Sequence, residues 1–358
     1  MKYRKLGNSG LRVSEISLGS MFYGGAQYQA TDQPVSREDA SKVIRRAIDL
    51  DINHLDCADI YGAYGNAEEI LGKTIAEYDR DHLIISSKVM LPMGRHELDR
   101  GLSRKHLKKS INQTLERMQT GYIDIYYCHR YDHLTPLPEV IQTMNTLIEQ
   151  GKIHYWATSN WSPAELERAM AIANDHGFQG PIADQTKYNL NRRYPLEVAL
   201  PYTLDYHNIG ITAYKILAGG IFTSIYAGKK YEDLTDEEKK AILSEFPQTG
   251  EELREDYMDR LQQYISLATE LDLTPAQLTY AWTLKNKRVS TAIMSTSKPD
   301  RVDENIVAID VNLSDENMEK INQLFPDTIS YYDTYSYIDR SIDLPSVHGK
   351  ITEEQMKF

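Results

Sequence analysis

The chain has 358 residues, 41% of them hydrophobic and 26% charged, enough for a large core and within reach of a single barrel domain. A formal net charge of −12 argues against the basic faces that a nucleic-acid partner or an anionic membrane surface needs, so any phosphate-bearing ligand has to be held by a local cluster. Two cysteines, Cys57 and Cys128, give no disulfide framework. No apolar run approaches a membrane span, and the start MKYRKLGNSG lacks an apolar signal core. The expectation is a cytoplasmic protein with no membrane insertion.

In chain order, MKYRKLGNSGLRVSE reads as a hairpin turning at Gly7-Asn8-Ser9-Gly10, suited to plug the bottom of a barrel. ISLGSM is a short β-rich run followed by the helical period of REDASKVIRRAIDL. NHLDCA leads into a glycine-broken loop and an amphipathic helix. LIISSKV precedes SRKHLKKSINQTLERM, and IDIYYCH precedes EVIQTMNTLIEQ. IHYWATSN, PIADQTKYN, ITAYKI and STAIMST complete the strands. Ser162-Pro163-Ala164-Glu165 and Thr274-Pro275-Ala276-Gln277 each supply a capping hydroxyl, a proline at the first helical position and an acid or amide three residues on. Eight strand–helix units predict an α/β fold, a (β/α)8 TIM barrel closed by right-handed crossovers. Residues 218–256 form a long insertion after the seventh strand, of the kind that often serves as a lid. The tail from Pro326 is polar and rich in tyrosine. With no linker in view, residues 1–325 are expected to form one barrel domain and residues 326–358 a tail packed on or near it.

Side chains at the C-terminal ends of barrel strands face the active site. There the sequence sets Asp56 on the second strand, Lys88 on the third, His129 on the fourth, Ser159 and Asn160 on the fifth and Gln185 on the sixth, with Tyr61 leaning in from the second loop. This is the chemistry of a carbonyl reduction site: hydride delivery leaves an alkoxide that needs a proton. A tyrosine is a suitable acid, but its ordinary pKa is about 10. An ammonium about 4 Å away, at an effective dielectric of ~20, is worth roughly 4 kcal/mol and draws it down before desolvation opposes. Asp56 would pair with Lys88 and keep it charged, and His129 would donate to the substrate oxygen or relay its proton. Each residue also has a plainer reading. Asp56 and Lys88 alone make a structural ion pair, Tyr61 is one of 25 tyrosines, and His129 is a satisfied loop histidine. The four together at consecutive strand ends favour chemistry. Cys57 and Cys128 alternate away from Asp56 and His129 and should face the helices.

NHLDCADIYGAYGNAEEILG, SSKV, IDIYYCHRYD, YWATSNWSPAEL and TAYKILAGGIF resemble, in order, the motifs of the aldo-keto reductase superfamily. GLSRKHLKKSI and DENIVAI are similar to the branch of voltage-gated potassium channel beta subunits and related bacterial reductases. The resemblance runs from residue 1 to about residue 325. It implies an NADP-dependent reductase of an aldehyde or ketone, with NADPH as hydride donor and NADH possible, bound without a Gly-rich Rossmann turn. Carried over position by position, Ser20, Met21 and Asp56 would lie beside the cofactor, and Ser159, Asn160 and Gln185 would bond its carboxamide. Tyr214 would stack on the nicotinamide, and Leu217, Ala218 and Gly220 would pass beneath the pyrophosphate. Ser297 and Arg301 would meet the 2′-phosphate, with Glu304 and Asn305 near the adenine. That last segment joins a strand to a helix start, where N–H groups and the dipole favour an anion, although Lys298 and Arg301 read equally as solvated first-turn residues.

The substrate loops would be Met21 to Gln27, Arg130 to His133, Trp161 and the 218–256 insertion. Phe22, Tyr23, Tyr61, His129, Arg130 and Trp161 are the expected contacts to a small carbonyl substrate. Several positions depart from the family pattern and bear on cofactor affinity. Lys215-Ile216-Leu217 stands where Ser-Pro-Leu is usual, and Ser224-Ile225 replaces a phosphate-contacting Gly-Lys, for which Lys229 or Lys230 could substitute. Ser295 stands where glycine or lysine is common, and Tyr131 where proline is usual. A metal-dependent hydrolase barrel would need more ligands than His54-x-Asp56 and His129 offer, so no metal is expected. A short-chain dehydrogenase would need a Gly-rich turn after the first strand. The reading from a different class is a cofactor-binding regulatory subunit with slow turnover, for which the same four residues would serve. Monomer and homo-oligomer both remain open.

Overall fold

The computed structural model describes residues 1–25, 35–245 and 251–326. The tail from residue 327, the loop end at Gln27 and residues 246–250 of the insertion lie outside the described residues.

The N-terminal hairpin pairs β1 (Tyr3–Lys5) with β2 (Arg12–Ser14), Tyr3 opposite Ser14. At its turn Gly7 has φ +55°, and a Cβ there would lie 2.1 Å from Ile182 O and 2.5 Å from Gly210 N. Only glycine lets this turn press so closely on two barrel strands. Leu6 and Val13 then pack with Ile84, Ile125, Tyr127, Ala157 and Ile182 in a small apolar cluster of their own. The hairpin is thus the expected bottom plug.

Eight parallel strands follow: β3 (Ile16–Gly19), β4 (His54–Asp56), β5 (Ile84–Val89), β6 (Ile123–Cys128), β7 (Ile153–Ser159), β8 (Ala183–Lys187), β9 (Gly210–Tyr214) and β10 (Val289–Met294). They close as a barrel, β10 pairing with β3 so that Ala292 lies opposite Ile16. Six lie within the runs read as strands, and β9 and β10 each begin one residue before theirs, at Gly210 and Val289. The crossovers are α1 (Arg37–Asp49), α2 (Tyr61–Ile75), α3 (Arg104–Met118), α4 (Leu137–Glu149), α5 (Pro163–His176) and α6 (Pro201–His207). Beyond β9 come α7 (Asp236–Glu245), α8 (Glu251–Glu270) and α9 (Pro275–Lys285), and beyond β10 come α10 (Pro299–Ile306) and α11 (Asp315–Leu324). The helix starts of α5 and α9 are the reciprocal caps their sequences announce, Ser162 with Glu165 and Thr274 with Gln277. The main core lies between the outer faces of the strands and the inner faces of the helices.

The 218–256 insertion ends inside a helix: α8 already begins at Glu251. Ile221, Phe222, Tyr226, Leu234 and Ile242 bury their side chains, so much of the segment is anchored in the core. Among the described residues, no helix is long and apolar enough to cross a membrane.

Candidate active site

Two strands place the charged pair. Asp56 ends β4, and Lys88 lies one residue before the end of β5. Both point inward because residues two apart on a strand share a face. Lys88 is fully buried; its Nζ donates to Asp56 Oδ2 at 2.6 Å and to the Cys57 carbonyl at 2.6 Å. The other carboxylate oxygen accepts from Ser86 Oγ at 2.8 Å and from Gln185 Nε2 at 3.0 Å. Below them, His54 Nε2 lies 3.2 Å from Ser86 Oγ. Since that hydroxyl donates to Asp56, the imidazole must donate to the hydroxyl. Burial opposes the Lys88 ammonium, but Asp56 foremost, with Tyr61, outweighs it and raises the lysine pKa.

Tyr61 stands above this pair, its ring centroid 4.8 Å from Lys88 Nζ. Its ring is half-buried, yet the surroundings desolvate the hydroxyl and push its pKa up to about 12, Lys88 drawing it down only in part. The lowering expected from the ammonium is present, but burial exceeds it. The phenol therefore stays protonated at neutral pH, the state a proton donor requires. His129 follows β6 and meets Tyr61 edge-on, the rings 5.9 Å apart. Burial first, then the Arg130 and Lys88 charges, hold the His129 pKa well below the usual imidazole value. A neutral, buried imidazole whose Nδ1 has no hydrogen-bond partner among the described residues results.

The other residues picked out in the sequence divide into several groups. Ser159, Asn160 and Tyr214 come together at the ends of β7 and β9: Asn160 Nδ2 donates to Ser159 Oγ at 2.9 Å and its Oδ1 accepts from Tyr214 at 3.1 Å. Gln185 joins them through Asp56. Ser20 lies at the same mouth, donating through Oγ to the Asp56 carbonyl at 2.9 Å, and Met21 beside it is exposed. Two amides and a hydroxyl form a donor and acceptor set that matches a primary carboxamide. Leu217, Ala218 and Gly220 make a tight turn past β9, with Ala218 and Gly220 at positive φ. Ser297 is exposed, the Arg301 guanidinium pairs with Glu304, and Asn305 is buried with its Oδ1 unpartnered among the described residues. Lys229 pairs with Glu238 at 2.5 Å, and Ile225 is exposed.

Around the mouth, Phe22 is half-buried, and Arg130 donates to the His129 carbonyl at 2.7 Å while reaching Ser159 Oγ at 3.4 Å. Tyr23 is fully buried, its hydroxyl on the Thr296 carbonyl at 3.2 Å. Trp161 is buried as well, with Tyr131 edge-on at 4.8 Å. Cys57 and Cys128 are fully buried away from the mouth, and burial pushes both thiols up. Sequence reading passed over Ser86 and Asp184, which bond to site residues or to the turn that carries them. Ser86 had a signal, its two-residue spacing from Lys88; Asp184 had none beyond being a carboxylate inside a strand.

Residues 16–325 match the Aldo/keto reductase family. A putative voltage-gated potassium channel subunit beta of Schizosaccharomyces pombe is 35% identical over 90% of this chain and 92% of its own. Probable subunits of the same name from Oryza sativa subsp. japonica (32% identical, 90% and 95% covered) and Arabidopsis thaliana (33%, 87% and 92%) are similar to it over nearly the same length. A closed eight-stranded barrel with these strand-end residues, matched to one family along almost its whole length, assigns the chain to the Aldo/keto reductase family.

Proposed function

We propose that this protein reduces an aldehyde or ketone to the alcohol with NADPH as hydride donor, NADH being the alternative, and with Tyr61 as proton donor. Family membership supports an oxidoreductase using NAD(P)H. The observation that carries the finer reading is the buried Lys88, held by Asp56 at 2.6 Å and standing 4.8 Å from the Tyr61 ring. When bound, the cofactor would supply the hydride that forms the new C–H bond. Tyr61 gives its hydroxyl proton to the developing alkoxide, and the Lys88 charge stabilises the phenolate left behind. His129, neutral, donates a hydrogen bond to the same oxygen. Ser159, Asn160 and Gln185 would hold the carboxamide, Tyr214 the face of the ring, and Ser20 and Met21 the rim. Leu217, Ala218 and Gly220 would lie beneath the pyrophosphate, with Ser297, Arg301, Glu304 and Asn305 at the adenosine end. Phe22, Arg130 and Trp161 would border the substrate, and the 218–256 insertion would help to cover it.

The names of the relatives favour a second reading, a cofactor-binding subunit whose redox step is slow. One experiment separates the two: fluorescence titration with NADPH and NADH, followed by 4-nitrobenzaldehyde. Tight binding with steady oxidation supports the reductase. Tight binding with one slow turnover supports the subunit. Binding of neither nucleotide overturns both.

A further inference from the structure

We propose that Asp184 is the positioning residue of the carboxamide site, an anion set into the outer face of β8 that fixes the turn carrying Ser159 and Asn160. The inference rests on the cofactor reading of that site. Asp184 is fully buried and sits between Ala183 and Gln185, so it points away from the mouth while Gln185 points into it. In the ladder it lies opposite Thr158, as Gln185 lies opposite Ser159.

Four donors converge on its two oxygens. Oδ1 accepts from Thr158 Oγ1 at 2.7 Å and from the Trp161 N–H at 3.2 Å. Oδ2 accepts from Thr186 Oγ1 at 2.5 Å and, at 3.2 Å, from the Asn160 N–H, which also donates to the Gln185 carbonyl at 3.0 Å. A buried carboxylate persists only when its oxygens are satisfied, and here donors alone do it. Two of the four are consecutive amides of the turn that leaves β7. In that turn Asn160 has φ +54°, a left-handed conformation that turns its side chain back over the mouth. There Asn160 Nδ2 reaches Ser159 Oγ, and Oδ1 accepts from Tyr214 and from the Lys187 N–H at 3.2 Å. Asp184 touches neither ligand nor reacting atoms. It acts by holding the Trp161 N–H and sharing the Asn160 N–H with the Gln185 carbonyl, and with them the groups a carboxamide would meet. An amide in its place would turn an NH2 group toward two of these four donors.

The test compares two nucleotides on wild type and Asp184→Asn: NADPH, and 2′-phospho-ADP-ribose, which keeps the phosphates and lacks the nicotinamide. The expected result is an NADPH dissociation constant raised about tenfold with the truncated nucleotide unaffected. A general loosening of the barrel would weaken both alike, and either that or no change overturns the proposal. Should Asp184→Asn fail to fold, Thr158→Val with Thr186→Val removes two donors and keeps the carboxylate. The same selective loss is expected of this pair, and its absence overturns the proposal. Wild type that binds the truncated nucleotide but not NADPH overturns the cofactor reading itself, a result visible before any variant is made.

Discussion

Lys88 and Asp56 bind each other inside the barrel, and neither could be buried alone without a cost of several kcal/mol. Their pairing sets the conditions for Tyr61, whose hydroxyl stays protonated because burial outweighs the ammonium. Tyr61→Phe keeps the ring and removes the proton. It is expected to leave NADPH binding intact and lower aldehyde turnover at least about a hundredfold, read by titration and steady-state kinetics on one preparation. Unchanged turnover would remove Tyr61 from the reaction. His54 offers a test of a different kind. Burial, reinforced by Lys88 and opposed by Asp56, lowers its pKa to about 4. A base with a lowered folded pKa contributes stability above its unfolded value near 6.5, lost as pH falls through the folded one. His54→Gln removes this dependence. Denaturant titrations at neutral pH and near pH 4 should show a wild-type loss exceeding the variant's by roughly 3 kcal/mol.

Among the elements, the start of α2 matters most, because it presents Tyr61. Gly62, Ala63, Tyr64 and Gly65 all have positive φ before the helix proper begins. A Cβ on Gly62 would lie 2.2 Å from the Tyr23 carbonyl and 2.7 Å from the Ala67 nitrogen. Gly62→Ala therefore has to move this turn. It should cost about 1–3 kcal/mol of stability and displace Tyr61, seen as a fall in kcat larger than any change in NADPH affinity. An unchanged kcat would mean that the turn does not hold Tyr61 in place. The elements were also where the sequence was most legible. Strand runs of period two and two proline-marked caps announced themselves locally, and they lie where expected. The left-handed turn was visible only as a break at Gly62 and Gly65, because what forces it is the Tyr23 carbonyl, distant in sequence. The helix that begins within the insertion was not legible, because residues 251–256 are polar enough to pass for loop while forming the first turns of α8. Asp184 escaped notice because a hydrogen bond across strands leaves no periodicity, whereas Ser86 was passed over although it shares the Lys88 face of its strand.

At the scale of the whole molecule, the barrel separates its two ends. Polar and titratable groups gather at the C-terminal mouth, and the hairpin seals the other end with Leu6 and Val13. Leu6→Ala should lower stability by about 2–5 kcal/mol while leaving kcat at ambient temperature unchanged, since it belongs to the cluster that closes the end opposite the mouth. A matching loss of turnover would show that the two ends are coupled. Strand order was predictable from the alternation alone, since right-handed parallel crossovers leave few other closures.

The hairpin also precedes every strand of the barrel in the chain. Its contacts are with residues made much later: Gly7 against Ile182 and Gly210, and Arg4 on the Leu284 carbonyl at 2.9 Å and the Val289 carbonyl at 2.7 Å. β3 likewise waits for β10 before it has a neighbour on its open edge. A ribosome emitting this chain thus releases the hairpin long before its barrel partners exist. The hairpin has only its own two strands to pair until those residues are made, and the ring closes only when its last strand emerges.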